Sequence, residues 1–178
     1  VSAEALKTVT GLSNMDFREM DRVSQGMIDG IANIKDDKNI EENCYDCTKS
    51  IDQHINDIFP QLKRNPNKSL ISVQHEAGLT ETQNRANVKL AISGGQNEPR
   101  DAISGTIFAL LRNQDQLDLI INNEYSWLNA FEEYSRWMSP IGMSPRRITK
   151  NIVIENIQFE KNERIFFIPI LENSSCAT

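Results

Sequence analysis

The stretch AISGGQNEP (residues 91–99) lies in the middle of a helix-compatible segment from about 80 to 112, and it decides the fold. An uninterrupted helix of that length would span roughly 48 Å, far more than a mean helix. Pro99 has no N–H group, so the carbonyl oxygen of Gly95 loses its usual donor and a kink is expected. Gly94 and Gly95 have no Cβ, which lets a large flat group approach the backbone. Asn97 and Glu98 add polar groups beside the opened turn. The pattern indicates a ligand groove in a core helix, and a loop between two separate helices is the alternative.

Helical periodicity continues on both sides of this segment. It predicts further helices at about 2–10, 16–31, 40–63, 69–76, 113–122 and 126–138. Gly11 is expected to end the first helix, and Thr80 with Gln83 forms a capping-box pattern at the start of the long one. The chain is therefore predicted to be mainly α-helical over most of its length.

Beyond residue 140 the pattern changes from helical spacing to strict alternation. Apolar residues at 152 and 154, at 157 and 159, and at 165 and 167 alternate with polar ones, as strands do. The dipeptides Glu155-Asn156 and Lys161-Asn162 suit two-residue turns between strands. A small β-sheet is therefore expected after the helices.

The composition of the chain narrows the classes of function. Its 178 residues, 39% hydrophobic and 25% charged, suit one globular domain. A formal net charge of −6 argues against nucleic-acid binding and against docking on an anionic membrane. No stretch has the apolar length of a membrane span. Three cysteines do not form a disulfide framework, so a reducing cytoplasm is expected.

Two charged motifs follow the long segment. Glu133 and Arg136 are three residues apart, so they share a helix face and can pair, although an exposed pair of this kind stabilises a fold very little. Residues 140–148 read as a rigid turn that carries Arg146 and Arg147. Arginine suits the recognition of carboxylates, whereas a solvated basic turn is the simpler interpretation.

The cysteines and histidines do not form a metal site in the sequence pattern. Cys44 and Cys47 have CxxC spacing with His54 nearby, but no second pair of ligands accompanies them. Both cysteines lie on the apolar stripe of the helix at 40–63, which favours packing. His75, close to a helix end, is expected to cap carbonyl groups.

The order of these motifs resembles the cytochrome P-450 family, especially its soluble bacterial members. The resemblance runs from about residue 5 to about residue 169 and would equate the helices with E to K of the family. The long kinked helix looks like the I helix, which crosses the molecule over the haem. Glu133 and Arg136 match the structural ExxR pair of the K helix, and the small sheet follows. Each motif is weak alone, and their order makes the resemblance specific.

The family implies roles for individual residues. Gly94 and Gly95 match the small pair over the haem face, and Arg147 resembles the arginine that binds a haem propionate. Asn97 stands where the family usually has an acidic residue, and Glu98 where it usually has the threonine that helps to deliver protons. Glu98 and Asn97 are therefore the candidate catalytic residues, in a motif that departs from the family pattern.

The resemblance implies a fragment of a haem-thiolate monooxygenase that inserts one atom of O₂ into a small organic substrate. Haem b would be the cofactor, and a ferredoxin or flavin reductase the electron donor. The family's axial cysteine lies in a Phe-Gly-rich loop beyond the small sheet, and Cys176 has no such loop around it. No iron ligand is therefore assigned, and residues 1–178 are expected to be an incomplete P-450 domain that lacks the helices before E and does not by itself retain haem.

Two alternatives remain open at this point. One is a non-catalytic helical binding module, whose kinked helix forms an apolar groove and which holds no haem. The other is the poorly folded product of a partial reading frame, with a large exposed apolar patch.

Overall fold

The structure, a computed structural model, describes residues 1–138 and 141–168. Pro140, Cys176 and the tail at 171–178 lie outside the described residues. The chain divides into two compact units, Val1–Arg100 and Asp101–Thr178. The elements are, in chain order, α1 (Ser2–Thr10), α2 (Phe17–Ala32), α3 (Lys38–Arg64), α4 (Leu70–Glu76), α5 (Glu81–Gly95), α6 (Asn97–Arg112), α7 (Gln114–Ile121), α8 (Trp127–Trp137), β1 (Ser144–Arg147), β2 (Ile152–Ile154), β3 (Ile157–Phe159) and β4 (Arg164–Phe167).

One hydrophobic core holds the first unit together. The stripe predicted on the helix at 40–63 is confirmed, since Cys47, Ile51 and Ile55 of α3 are buried. Burying each large apolar side chain contributes roughly 1.5–3 kcal/mol. The core consists of Ala3, Leu6, Leu12, Met15, Met20, Val23, Met27, Cys47, Ile51, Ile55, Ile58, Phe59, Leu62, Ile71, Val88 and Ile92.

Helices α2 and α3 approach each other closely where α2 presents glycine. A Cβ atom on Gly26 would collide with Sγ of Cys47, and one on Gly30 with Sγ of Cys44. The two thiols therefore fill the space that the glycines leave, and both are free. Burial raises the pKa of the Cys47 thiol, which opposes formation of the thiolate that metal or redox chemistry needs. The interpretation as core packing is confirmed for Cys47, whereas Cys44 is half-buried and packs against Gly30 outside the core.

Local signals determine where the helices of the first unit begin and end. Asp16 accepts a hydrogen bond from the backbone N–H of Arg18 at 2.9 Å and caps α2. Thr80 and Gln83 form the predicted capping box of α5, with reciprocal hydrogen bonds of 3.3 and 3.0 Å. Gly11 ends α1 with a φ of 95°, a conformation that favours glycine.

The long helix predicted between about 80 and 112 is divided at Gln96. Helix α5 ends at Gly95 and α6 begins at Asn97. Pro99 is in the first turn of α6, where N–H groups have no partner within the helix, so its missing N–H is tolerated. The carbonyl of Gly95 is the group that Pro99 would otherwise have bonded, so the interruption lies where the kink is predicted. There are two helices, but one residue rather than a loop joins them.

Helices α6 and α8 meet closely within the second unit. A Cβ atom on Gly105 of α6 would collide with the hydroxyl and ring of Tyr134 on α8. Ser126 and Asn129 form a capping box at the start of α8, with hydrogen bonds of 3.1 Å in both directions between each backbone N–H and the other's side chain. Of the helices in the described part of the chain, none combines the length and the apolar character that a membrane crossing requires.

Two antiparallel two-stranded sheets follow α8. In the first hairpin, β2 pairs with β3 and Ile154 lies opposite Ile157. Glu155 and Asn156 have φ angles of 48° and 66°, as a type I′ turn requires, so the predicted turn is confirmed.

The second pairing joins β1 to β4 and corrects the sequence analysis. The rigid turn predicted at 140–148 is wrong for Ser144–Arg147, because these residues form a strand paired with Arg164–Phe167. Pro145 is compatible with this strand, since each strand of a two-stranded sheet has one edge that needs no ladder hydrogen bond.

Candidate functional site

The break between α5 and α6 leaves open space beside one of its glycines. A methyl group placed on Gly94 would meet no atom within 4 Å, whereas one on Gly95 would lie 3.5 Å from a methyl group of Leu6. Gly95 therefore packs against α1, and Gly94 is the accessible backbone position. This openness fits the approach of a large flat group such as a haem.

Asn97 and Glu98 are the first two residues of α6, and both side chains are half-buried. The Oε2 atom of Glu98 is buried and finds no hydrogen-bond partner among the described residues. An unpaired buried carboxylate oxygen is costly, so this position favours the approach of a hydrogen-bond donor. The amino end of a helix also favours negative charge. Glu98 thus brings a buried, unpartnered carboxylate oxygen to within two residues of the break at Gln96.

The residue at the break itself is anchored by a contact that the sequence analysis missed. Gln96 is 3% exposed, and its Nε2 atom donates a hydrogen bond to Oδ1 of Asp21 on α2. The two residues are 75 positions apart, and no local pattern joins them.

Glu133 and Arg136 pair on α8, as their spacing predicts. Nε and Nη2 of Arg136 donate to the two carboxylate oxygens of Glu133 at 2.7 and 2.6 Å. The side-chain hydrogen bond from Arg136 lowers the pKa of Glu133. Both side chains are about half exposed, 59% for Glu133 and 47% for Arg136, so within the described residues the pair adds little to stability.

Arg147 lies on β1, directly opposite Arg164 of β4. Residues opposite each other in an antiparallel pair share a face, so two like charges are neighbours there. Both arginines are exposed, and neither has an ion-pair partner in the described part of the chain. This surface is suited to an anionic group.

The candidate residues therefore form two groups. Gly94, Gly95, Asn97 and Glu98 lie within one turn of the break in α5–α6. The candidate residues of the second unit are Glu133 and Arg136 on α8 and Arg147 on β1.

A groove with a volume of about 750 Å³ runs between α6, α7 and α8 in the second unit. Its walls include Leu110, Leu119, Tyr134 and Trp137, with the pair of Glu133 and Arg136 also lining it. It is mostly apolar and has a few polar groups, as ligand grooves commonly do.

The two histidines make contacts of other kinds within the described part of the chain. Among residues 1–138 and 141–168, no cluster of three histidine, cysteine or acidic side chains could hold a metal ion. Nδ1 of His54 lies 2.8 Å from the carbonyl oxygen of Ser50, and a carbonyl can only accept, so this nitrogen carries a proton. His75 packs edge-on against Phe59, with ring centres 5.2 Å apart.

The curated relatives of this chain include a monooxygenase by name. This chain is 20% identical over 161 residues to pulcherriminic acid synthase of Bacillus subtilis. The aligned region is 88% of this chain and 40% of that protein. The chain is 23% identical over 150 residues to a steroid C26-monooxygenase of Mycolicibacterium smegmatis, covering 82% of this chain and 37% of that protein. No family model matches the chain.

Solved structures decide the fold. Cytochrome P450 260B1 of Sorangium cellulosum So Ce56 superposes with a TM-score of 0.83 at 15% identity, over 97% of this chain and 44% of that one. P450BioI, solved with an acyl carrier protein that carries hexadec-9Z-enoic acid, gives 0.76 at 20% identity, over 94% and 44%. This chain carries part of the cytochrome P-450 fold. The resemblance predicted from the order of motifs is confirmed, as is the mainly α class with a small β part. The chain spans about 40% of the length of these two curated relatives.

Proposed function

We propose that this chain forms the central part of a haem-thiolate monooxygenase, an oxidoreductase that inserts one atom of O₂ into a small organic substrate. The proposal rests on the P-450 fold, on relatives that include a named monooxygenase, and on the break beside Glu98. The observation that carries it is the buried, unpartnered Oε2 atom of Glu98 one residue after the start of α6.

A haem-thiolate group held here would supply the activation of O₂; with two electrons and two protons, one oxygen atom enters the substrate and the other leaves as water. Gly94 leaves room for its flat face, and Arg147 would donate charge-assisted hydrogen bonds to a propionate. Cys44 and Cys47 are unsuited to bind the iron because they pack against the glycines of α2. An axial cysteine outside the described residues is therefore part of the proposal.

Glu98 takes the role of proton donor and acceptor in this proposal. A carboxyl group exchanges protons readily, and the buried oxygen of Glu98 would accept a hydrogen bond from a water molecule that carries protons toward the haem side. Asn97 supplies a neutral amide where relatives of the family usually place an acid, so Glu98 is the one ionisable group of this pair.

The remaining partners follow from the same proposal. Electrons would come from a ferredoxin or a flavin reductase, and the reaction would take place in the cytoplasm, since the cysteines in the described part are free thiols. A nucleic-acid or membrane partner is not part of the proposal, given the net charge of −6.

The direct test is spectroscopic. The complete reading frame that contains residues 1–178 is expressed with haem, reduced and exposed to carbon monoxide. The proposal predicts the red-shifted Soret band of a thiolate-bound ferrous carbonyl. A protein that folds but takes up no haem, or that gives the band of a histidine-ligated carbonyl, would contradict it.

A non-catalytic binding module is the second candidate. The groove between α6, α7 and α8 favours it, because its apolar and aromatic walls are suited to an apolar ligand that needs no haem. This candidate predicts cooperative thermal unfolding of the 178-residue chain and saturable binding of an apolar fluorescent probe. Aggregation of the purified chain at room temperature would count against it.

A further inference from the structure

The break between α5 and α6 is tied to α2 by two side chains of that helix. Ser24 donates from Oγ to the carbonyl oxygen of Ile92 at 3.2 Å, in the last turn of α5. Asp21, one turn earlier on α2, accepts from Nε2 of Gln96. Residues three or four apart share a helix face, so the two contacts form one row along the α2–α5 interface. Only the second contact reaches the residue of the break.

The orientation of the Gln96 amide follows from its partner. A carboxylate can only accept, so the amide nitrogen must face Asp21. The amide oxygen is then directed away from Asp21, and it is buried without a hydrogen-bond partner in the described part of the chain. Gln96 lies in the right-handed helical region, with φ and ψ of −98° and −50°, but its φ is displaced by roughly 35° from the usual helical value.

We propose that Gln96 and Asp21 are positioning residues that fix the helix break and thereby the place of Glu98. Gln96 is 3% exposed and Glu98 is two residues further along the same backbone, so movement at the first displaces the second. The hydrogen bond to a charged acceptor is of the stronger kind, and its removal leaves a buried amide unpaired. The functional part of this inference, a positioned Glu98, rests on the proposed monooxygenase activity.

The test exchanges donor and acceptor. Gln96→Glu removes the donor and sets a carboxylate against that of Asp21, so the amides of 94–101 should exchange with solvent about tenfold faster. Asp21→Asn keeps an acceptor oxygen and should leave exchange near the wild-type rate. The double variant provides an amide donor at position 21 and an acceptor at position 96, so it should recover most of the protection. Hydrogen–deuterium exchange of the full 178-residue chain, read by mass spectrometry, measures all three.

Two further variants control for general loss of structure. Ser24→Ala removes the neighbouring hydrogen bond to Ile92 without touching Gln96, and exchange at 94–101 should remain near the wild-type rate. If Gln96→Glu also raises exchange in α3, the substitution has loosened the whole first unit. Gln96→Leu then replaces it in the test, because leucine removes the donor without adding charge. Unchanged exchange at the break in the single variant, or no recovery in the double variant, would overturn the proposal.

A second readout separates positioning from the proposed chemistry. In the haem-loaded enzyme, Gln96→Glu should lower kcat with little change in KM. The double variant, which adds Asp21→Asn, should restore kcat. If Glu98→Gln leaves turnover unchanged, the proposed role of Glu98 fails while the exchange result still stands. If exchange responds but kcat does not, the two residues do not position Glu98 for catalysis, and the inference fails.

Discussion

The two units of the chain use similar amphipathic helices with different results. In Val1–Arg100 the apolar stripes of α2 and α3 are buried in one core. In the second unit, α8 is equally amphipathic in its sequence, but none of its residues is buried. Trp127 and Leu128 are 60% and 62% exposed. Periodicity therefore predicts which face of a helix is apolar, and burial depends on whether another element covers that face.

The exposed apolar face of α8 indicates which unit carries the stability of this chain. The chain spans about 40% of the length of the two curated relatives described above. A fold normally does not leave many large apolar side chains exposed on one helix. The first unit is thus expected to carry most of the measurable stability of this chain, and the second to be sensitive to its surroundings.

The largest expected effect is the loss of a core side chain in the first unit. Ile51→Ala removes a side chain that is fully buried, and should lower the free energy of unfolding by about 2–5 kcal/mol. Leu128→Ala removes one that is 62% exposed and should change it by less than about 0.5 kcal/mol. Urea unfolding followed by far-UV circular dichroism measures both. Equal losses of unfolding free energy in the two variants would show that α8 is covered in solution. The two units would then not differ in how their helices are buried.

A smaller effect is expected from two glycines in different surroundings. Gly105→Ala should destabilise the second unit by about 1–3 kcal/mol, because the added methyl collides with Tyr134. Gly94→Ala should stabilise the first unit by about 0.5–1 kcal/mol, since it meets open space in a helix.

Fluorescence separates the two units in that experiment. Both tryptophans, Trp127 and Trp137, lie in the second unit, so their emission reports its unfolding alone. Tyr134→Leu should relieve most of the penalty of Gly105→Ala. Persistence of the full penalty in that double variant would mean that the ring of Tyr134 is not its cause.

The smallest expected effect concerns ion pairs. The side-chain hydrogen bond from Arg22, with a further one from Ser50, lowers the pKa of Glu19 to about 2 from 4.5. The unfolded chain binds the proton first as the pH falls, so stability is lost between pH 4.5 and about 2. Because the Glu19 side chain is 26% exposed, solvent screening limits the loss to the order of 1 kcal/mol. Glu19→Gln should abolish this part of the acid sensitivity.

Glu133→Gln in the second unit is the matched control. Arg136 lowers the pKa of Glu133 as well, but the carboxylate side chain is 59% exposed, so the acid sensitivity should change less than with Glu19→Gln. The comparison uses the free energies of unfolding at pH 3 and pH 6, extrapolated from urea titrations over the same concentration range. A larger effect at Glu133 would indicate that the α8 pair is covered in solution.

Local sequence signals predicted most of the fold. Thr80 with Gln83, Gly11 and the stripe on α3 act within one or two helical turns, so their effect can be read from neighbouring residues. Strand β1 was missed because its pairing with Arg164–Phe167 lies outside any local window, and Pro145 resembles a turn residue. The contact of Asp21 with Gln96 was missed for the same reason.

The site could be predicted only in its parts. The glycines, Glu98 and the ExxR pair follow from spacing and from the family resemblance. The openness beside Gly94 and the unpartnered Oε2 atom of Glu98 depend on packing, which no spacing rule provides. Their combined role in binding a haem stays a prediction.

One measurement tests the central claim most directly. In the haem-loaded enzyme, the product formed per pair of electrons consumed is compared between the wild type and Glu98→Gln. An amide has the same shape as the carboxyl but cannot exchange a proton in the same way, so the account predicts a clear fall in this ratio while substrate affinity is retained. Glu98→Asp, which keeps the carboxyl, should retain part of the ratio. An unchanged ratio in Glu98→Gln would contradict the account.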